Sequence, residues 1–273
     1  MEPGPDMSSL PLARPRMPRR RFASMRAIMA LILREMSTRY GRSPGGYLWA
    51  VLEPVAGIAL LTLVFAAAFR SPPLGTNFAV FYATGMVPFL IFTGVQGTVA
   101  GALNYSRQLL AYPTVTYLDA LLARFALNFM TQLMVAYIVL GGCILIFDTR
   151  LTLNLPVIIE AFALTGLLSL GIGTLNCYLF SRSNIFQQVW SILMRPAFIV
   201  SGVFFLFEAI PEPYSDYLWF NPLIHVLGLM RRGFYSTYDA TYVSVTFVVG
   251  VSLTCLALGL LLLWRFHAEL LDR

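Results

Sequence analysis

The chain has no lysine, and that absence excludes more than any residue present. The phosphate-binding loop G-x-x-x-x-G-K-[ST] needs a lysine to reach the β- and γ-phosphates. A chain without one cannot form it, so this chain hydrolyses no ATP through such a loop. Histidine is nearly as scarce, with only His225 and His267, far apart in sequence. A histidine-based triad or metal site has almost no material, and no catalytic residue and no metal ligand is assigned. The three cysteines, Cys143, Cys177 and Cys255, sit inside apolar runs without C-x-x-C spacing, so they read as small core residues rather than disulfides or thiolate ligands. Charge of either sign is thin: 12% of residues are charged and 58% hydrophobic, with a mean hydropathy of +0.73. A water-soluble domain carries about twice that charge. The composition is that of a polytopic, all-α membrane protein.

Long apolar runs and arginine fill the space. A bilayer core of about 30 Å takes roughly 20 apolar residues per helix. On that ruler six spans are expected, near 46–69, 78–103, 120–147, 156–180, 185–207 and 241–264. All 19 basic residues are arginine, nine of them between Arg14 and Arg42. With the N-terminus inside, 14 lie at or near the cytoplasmic side and four outside (Arg70, Arg150, Arg231, Arg232), with Arg195 inside the fifth span. The positive-inside rule therefore predicts both termini inside. Residues 1–21, rich in Pro and Arg, read as a disordered basic cytoplasmic tail. Its charge adjoins a membrane entry point, which favours anionic lipid over nucleic acid as the contact.

The stretch Arg39 to Pro54, RYGRSPGGYLWAVLEP, turns the chain into the membrane. Upstream, Phe22, Met25, Met29, Ile32, Leu33, Met36 and Tyr40 recur at helical spacing, so 22–43 is expected as an amphipathic helix in the interface plane. Ser43-Pro44-Gly45-Gly46 supplies the break, and Tyr47 and Trp49 fall where aromatic anchors sit. Glu53, beside Pro54 about two turns into the first span, must be paired or wet. It either snorkels or salt-bridges to an arginine of the surface helix, or it serves transport directly. Gly97-x-x-x-Gly101 would allow close helix approach, and Asp119 and Arg124 are one turn apart and placed to pair. Gly166, Gly171, Gly173 and Asn176 read as tight packing in span four. Arg195, near mid-membrane, should face protein or a watery path, because lipid exposure costs at least about 3 kcal/mol. From Glu208 to Thr241 the chain turns polar and aromatic, and outer re-entrant helices between spans five and six fit it best.

Several of these strings carry a resemblance. R-Y-G-R-S followed by G-Y-L-W-A-x-L-E-P, the G-x-x-P-F of span two, N-x-x-x-x-L-L-x-Y-P-x-V from Asn104, and F-N-P-L-x-H over Phe220 to His225 together resemble the membrane subunit of type-2 ABC transporters that export capsular polysaccharides. The match covers most of the chain after about residue 22, so 22–273 is read as a single permease domain. The resemblance implies a homodimer working with two ATP-binding subunits, which hold ATP and Mg; this chain carries no cofactor. It implies a polysaccharide substrate, periplasmic or outer-membrane export partners, and a bacterial inner membrane location. Asn104, Arg107, Leu109, Leu110, Tyr112 and Pro113 would form the coupling helix that docks on the ATPase. Arg39, Tyr40, Arg42, Trp49, Glu53 and Pro54 form the corner between surface helix and first span.

Sugar rings stack on aromatic planes while their hydroxyls meet polar groups. The candidate substrate path is therefore Tyr82, Phe89, Phe92, Trp190, Arg195, Glu208 and Trp219. His225 reads as a packed polar residue. Two other classes compete with the exporter. A secondary transporter or channel would want deep carboxylates and an internal repeat, and only Glu53 qualifies. An intramembrane enzyme would want a nucleophile and base. Within the family, exporters of O-antigen, teichoic acid and lipo-oligosaccharide are neighbours of the capsular reading.

Overall fold

The computed structural model describes residues 23–39, 46–110, 115–147 and 152–272. Among them the chain forms ten α-helices and no strand. These are α1 (Ala23–Arg39), α2 (Gly46–Ala68), α3 (Phe78–Ala100), α4 (Ala102–Leu110), α5 (Tyr117–Ile146), α6 (Leu155–Arg182), α7 (Asn184–Val200), α8 (Tyr214–Trp219), α9 (Pro222–Phe234) and α10 (Val245–Asp272). Five stretches are long and apolar enough to cross a bilayer: α2, α3 running on through α4, α5, α6 and α10. Tail residues 1–21 and the corner residues Tyr40 to Gly45 lie outside the described residues.

The run expected as a fifth span, 185–207, is shorter than its composition suggests. Its helix, α7, has 17 residues. At 1.5 Å per residue that is about 26 Å, just under a hydrocarbon core. Ser201 caps it and Gly202 follows at φ +82°, a left-handed conformation that glycine adopts without a Cβ clash. The chain then runs through a 3-10 turn (Phe207–Ala209) and α8 into α9, where Asn221 caps the N-terminus and Pro222 takes the first helical position.

At the centre stands α3, whose first half is buried almost continuously from Ala79 to Phe89. Against it pack α5, α6 and α9, while α10 lies along α6. That last contact depends on glycine: a Cβ on Gly171 would collide with the Ser252 carbonyl, and one on Gly259 would come within 2.6 Å of the Leu175 nitrogen. Gly97, by contrast, has nothing within 4 Å of a built Cβ, so among the described residues no helix closes on it, while Gly101 faces the Arg124 side chain. Asp119 also departs from expectation. It closes a capping box, accepting the Thr116 N–H at 3.0 Å while the Thr116 hydroxyl oxygen accepts the Asp119 N–H at 3.2 Å. Helix capping uses the carboxylate locally and leaves Arg124 for another partner.

Candidate functional site

At the end of the bundle where α2 begins, three elements are tied by one arginine. Arg124 of α5 donates from Nε and Nη2 to Glu35 Oε1 of α1 at 3.3 and 3.2 Å. Its Nη1 donates to the Gly101 carbonyl, at the joint between α3 and α4, at 2.9 Å. Its guanidinium lies 4.2 Å from the ring centroid of Tyr105 on α4. The Tyr105 hydroxyl is 2.7 Å from Thr38 Oγ1 of α1, and Asn128 adds a hydrogen bond to Glu35 at 3.4 Å. Because Glu35 points inward and is buried, α1 leaves Met25, Met29, Leu33 and Met36 exposed as an apolar strip. In α4, Asn104 and Arg107 are exposed, whereas Leu109 and Leu110 are half-buried. Tyr112 and Pro113 lie outside the described residues, as do Tyr40, Arg42 and the Arg39 side chain.

Trp49, Glu53 and Pro54 line a cavity of about 430 Å³ between α2, α3 and α5. Pro54 is buried within α2, and Trp49 and Glu53 are exposed. Glu53 has no ion pair or hydrogen bond among the described residues. On α1 it is Glu35 that meets an arginine, Arg124 of α5.

The opposite end is organised by Arg231 of α9, which is only 2% exposed. It donates to the Val203 and Phe205 carbonyls, both at 2.9 Å, and stands 4.3 Å from the Phe81 ring centroid on α3. It thus holds the segment leaving α7 against α3. Burial pulls its pKa below the ordinary arginine value, opposed by Tyr242, Tyr238, Tyr235 and Glu208 nearby. Glu208 accepts a hydrogen bond from the Tyr238 hydroxyl at 3.0 Å. Burial raises the Tyr238 pKa, with Tyr242 and Glu208 adding to the shift. His225 Nδ1 accepts the Ser244 N–H at 3.2 Å, so Nε2 carries the proton and donates to the Trp219 carbonyl at 2.8 Å. Trp219 donates from Nε1 to the Tyr242 carbonyl at 3.1 Å.

The proposed path residues divide between these regions. Tyr82, Phe89 and Phe92 are buried; Tyr82 packs on Phe65 and Phe81, and Phe89 meets Phe198 of α7 edge-on at 5.1 Å. Trp190 on α7 donates to Gln96 Oε1 at 3.2 Å. No residue of α7 is fully buried. Trp190, Met194, Ala197 and Phe198 turn toward the bundle, while Gln188, Ser191 and Arg195 form an exposed polar row at helical spacing beside that seat, and Val189, Ile192, Leu193 and Ile199 make most of the remaining exposed surface apolar.

Residues 26–235 match the family model described as ABC-2 type transporter. The chain belongs to the ABC-2 type transporter family. It is 31% identical over 236 residues to the polysialic acid transport protein KpsM of Escherichia coli, covering 86% of this chain and 91% of that one. It is 27% identical over 245 residues to the capsule polysaccharide export inner-membrane protein CtrC of Neisseria meningitidis serogroup A, covering 88% and 91%. To the O-antigen export system permease protein RfbA of Klebsiella pneumoniae it is 23% identical over 253 residues, covering 89% and 94%.

Sequence reasoning passed over the residues that tie this ABC-2 chain together. Glu35, Tyr105 and Asn128 carry no local signal, since their partners are distant in sequence. Arg231 was assigned to the outer side without a partner. Only Thr116-x-x-Asp119 had a readable signature, that of a capping box.

Proposed function

We propose that this chain is the membrane subunit of an ATP-driven exporter that moves a capsular polysaccharide across the bacterial inner membrane. It works as a homodimer with two separate ATPase subunits that bind ATP and Mg. The observation that carries the conduit role is the α7 stripe: Gln188, Ser191 and Arg195 form one exposed polar row beside the face that seats on the bundle. A polar row on a membrane helix is costly against lipid but suits a hydrated path between two copies. Hydroxyl-rich sugars would meet these groups while Trp190, Glu208 and Trp219 flank the route, with no covalent step. The names of KpsM and CtrC favour a capsular substrate, and the absence of lysine is consistent with hydrolysis on a partner chain.

The topology that fits this role counts α7 as a short fifth crossing and α10 as the sixth, with both termini cytoplasmic. In that arrangement α8 and α9 form an outer re-entrant pair, and α4 with residues 111–116 faces the ATPase. The 14-to-4 arginine division supports it. The test is gene deletion in the native host, followed by fractionation of capsular and O-antigen polysaccharide. Capsule accumulating inside the cell, and restored to the surface by the wild-type gene, is the expected result. Normal capsule with retained O-antigen would move the substrate to that neighbouring class, and normal export of both would overturn the proposal.

A further inference from the structure

The Glu53 cavity does not stand alone. Along α5 it is lined by Thr131, Gln132, Val135 and Ala136, and a second cavity of about 520 Å³ takes up at Ile138, Val139, Gly142, Cys143, Ile146 and Phe147. On α2 the sequence is the same, with Trp49 and Glu53 in the first cavity and Val55, Ile58, Ala59 and Leu63 in the second. The two therefore follow one another along one seam between α2 and α5, and the seam is read as a single groove. Its first part offers a carboxylate, a carboxamide and an indole; its second is walled almost wholly by hydrocarbon. From Gln132 to Ile146 the groove follows 15 residues of α5, about 21 Å of helix, longer than the roughly 15 Å of one leaflet.

We propose that this groove binds an aminophospholipid, its ammonium headgroup held by Glu53 and Trp49 and one acyl chain laid in the apolar part. Three observations select that chemistry. Glu53 lies seven residues from the start of α2, about 10 Å along it, where a headgroup can reach and where an unpaired carboxylate is costly. Neither Glu53 nor Gln132 has a hydrogen bond within the described residues, so both are available to a ligand. Trp49 stands one turn from Glu53 on the same side of α2, and an indole face beside a carboxylate is suited to an ammonium group. A neutral sugar would leave the carboxylate charge uncompensated, and a purely anionic headgroup would be repelled.

Native mass spectrometry of the intact permease–ATPase complex, delipidated and titrated with phosphatidylethanolamine, phosphatidylcholine or phosphatidylglycerol, tests the assignment. Ethanolamine lipid should be retained over choline and glycerol lipid by about tenfold or more, the size of a hydrogen bond to a charged group. Glu53→Gln should abolish that preference while leaving residual binding through the acyl chain. Gly142→Leu should weaken all three lipids, because a Cβ there meets nothing within 4 Å and the new side chain can grow into the apolar part. Equal retention of the three lipids by wild type, or an unchanged preference in Glu53→Gln, would overturn the proposal. So would displacement of the ethanolamine lipid by a lipid-free oligosaccharide, which would make this a sugar site.

Discussion

Glu35 and Arg124 stand 89 residues apart in sequence and 3.2 Å apart in space, with the carboxylate 3% exposed. The pair is one arm of a hub, since the same guanidinium also holds the Gly101 carbonyl and packs on Tyr105. Movement of α4 cannot leave α1 behind without breaking charge-assisted hydrogen bonds in a buried place.

Removing one partner from such a pair strands the other. Glu35→Gln or Arg124→Gln should each destabilise the protein by about 3 kcal/mol. The double variant should cost clearly less than the two added together, because neither charge is then left alone. Thermal unfolding of the purified subunit measures this, and strictly additive losses would show that the contact contributes nothing.

The α4 segment is the expected grip for the ATPase. Leu110→Ser with Tyr112→Ser removes apolar contact worth roughly 1.5 to 3 kcal/mol per buried side chain. Export and substrate-stimulated ATPase activity should fall together while the spans stay folded. Wild-type co-purification and export in the double variant would pass the contact to α1.

Arg231 should be sensitive to a change that keeps its charge. Lysine lacks the planar fork that serves the Val203 and Phe205 carbonyls at once. Arg231→Lys should lower the melting temperature by several degrees, whereas Arg232→Lys, at an exposed neighbour, should be nearly silent. Equal effects at the two positions would remove the latch role from Arg231.

How much of this was legible depended on range. The apolar runs marked α2, α3, α5, α6 and α10, because crossing a bilayer is a requirement on consecutive residues. The end of α7 at Val200 was not legible, since Val203, Phe204, Phe205 and Leu206 continue the apolar run and only the left-handed Gly202 interrupts the helix. Glu53 attracted attention as a carboxylate beside a proline, yet Glu35 is the one that took the arginine, for pairing is decided by helix packing that no local pattern records. Asp119 and Arg124 looked like partners by spacing, and the capping box shows how a nearer backbone donor prevails.

His225 should give the α8–α9 end of the bundle a pH response. Burial holds its pKa below the ordinary histidine value of about 6.5, against the opposing hydrogen bonds to the Trp219 and Tyr242 backbone. The folded state then resists a proton that the unfolded chain accepts, so stability is complete above that value and declines as pH falls below it. Protonation would also turn the Nδ1 acceptor facing the Ser244 N–H into a donor. The melting temperature should fall on acidification from neutrality to pH of about 5.5, and less so in His225→Asn, whose amide oxygen can keep the Ser244 bond. Identical pH profiles for the two proteins would exclude His225 as the source.

Arg195 tests the conduit most directly. It is exposed on the single chain, in line with Gln188 and Ser191, on a helix flanked by Ile192, Leu193 and Ile199, which are also exposed. If that stripe faces lipid, replacing the arginine with leucine relieves a cost of about 3 kcal/mol and leaves transport alone. If it faces a hydrated path, the same change takes away a hydrogen-bond donor and places hydrocarbon in the polymer's way. Arg195→Leu should therefore insert and express at least as well as wild type while surface polysaccharide falls severalfold, and Arg195→Gln should recover part of the export. Unchanged export with improved expression would put α7 against lipid, and the polymer would need another route through the bundle.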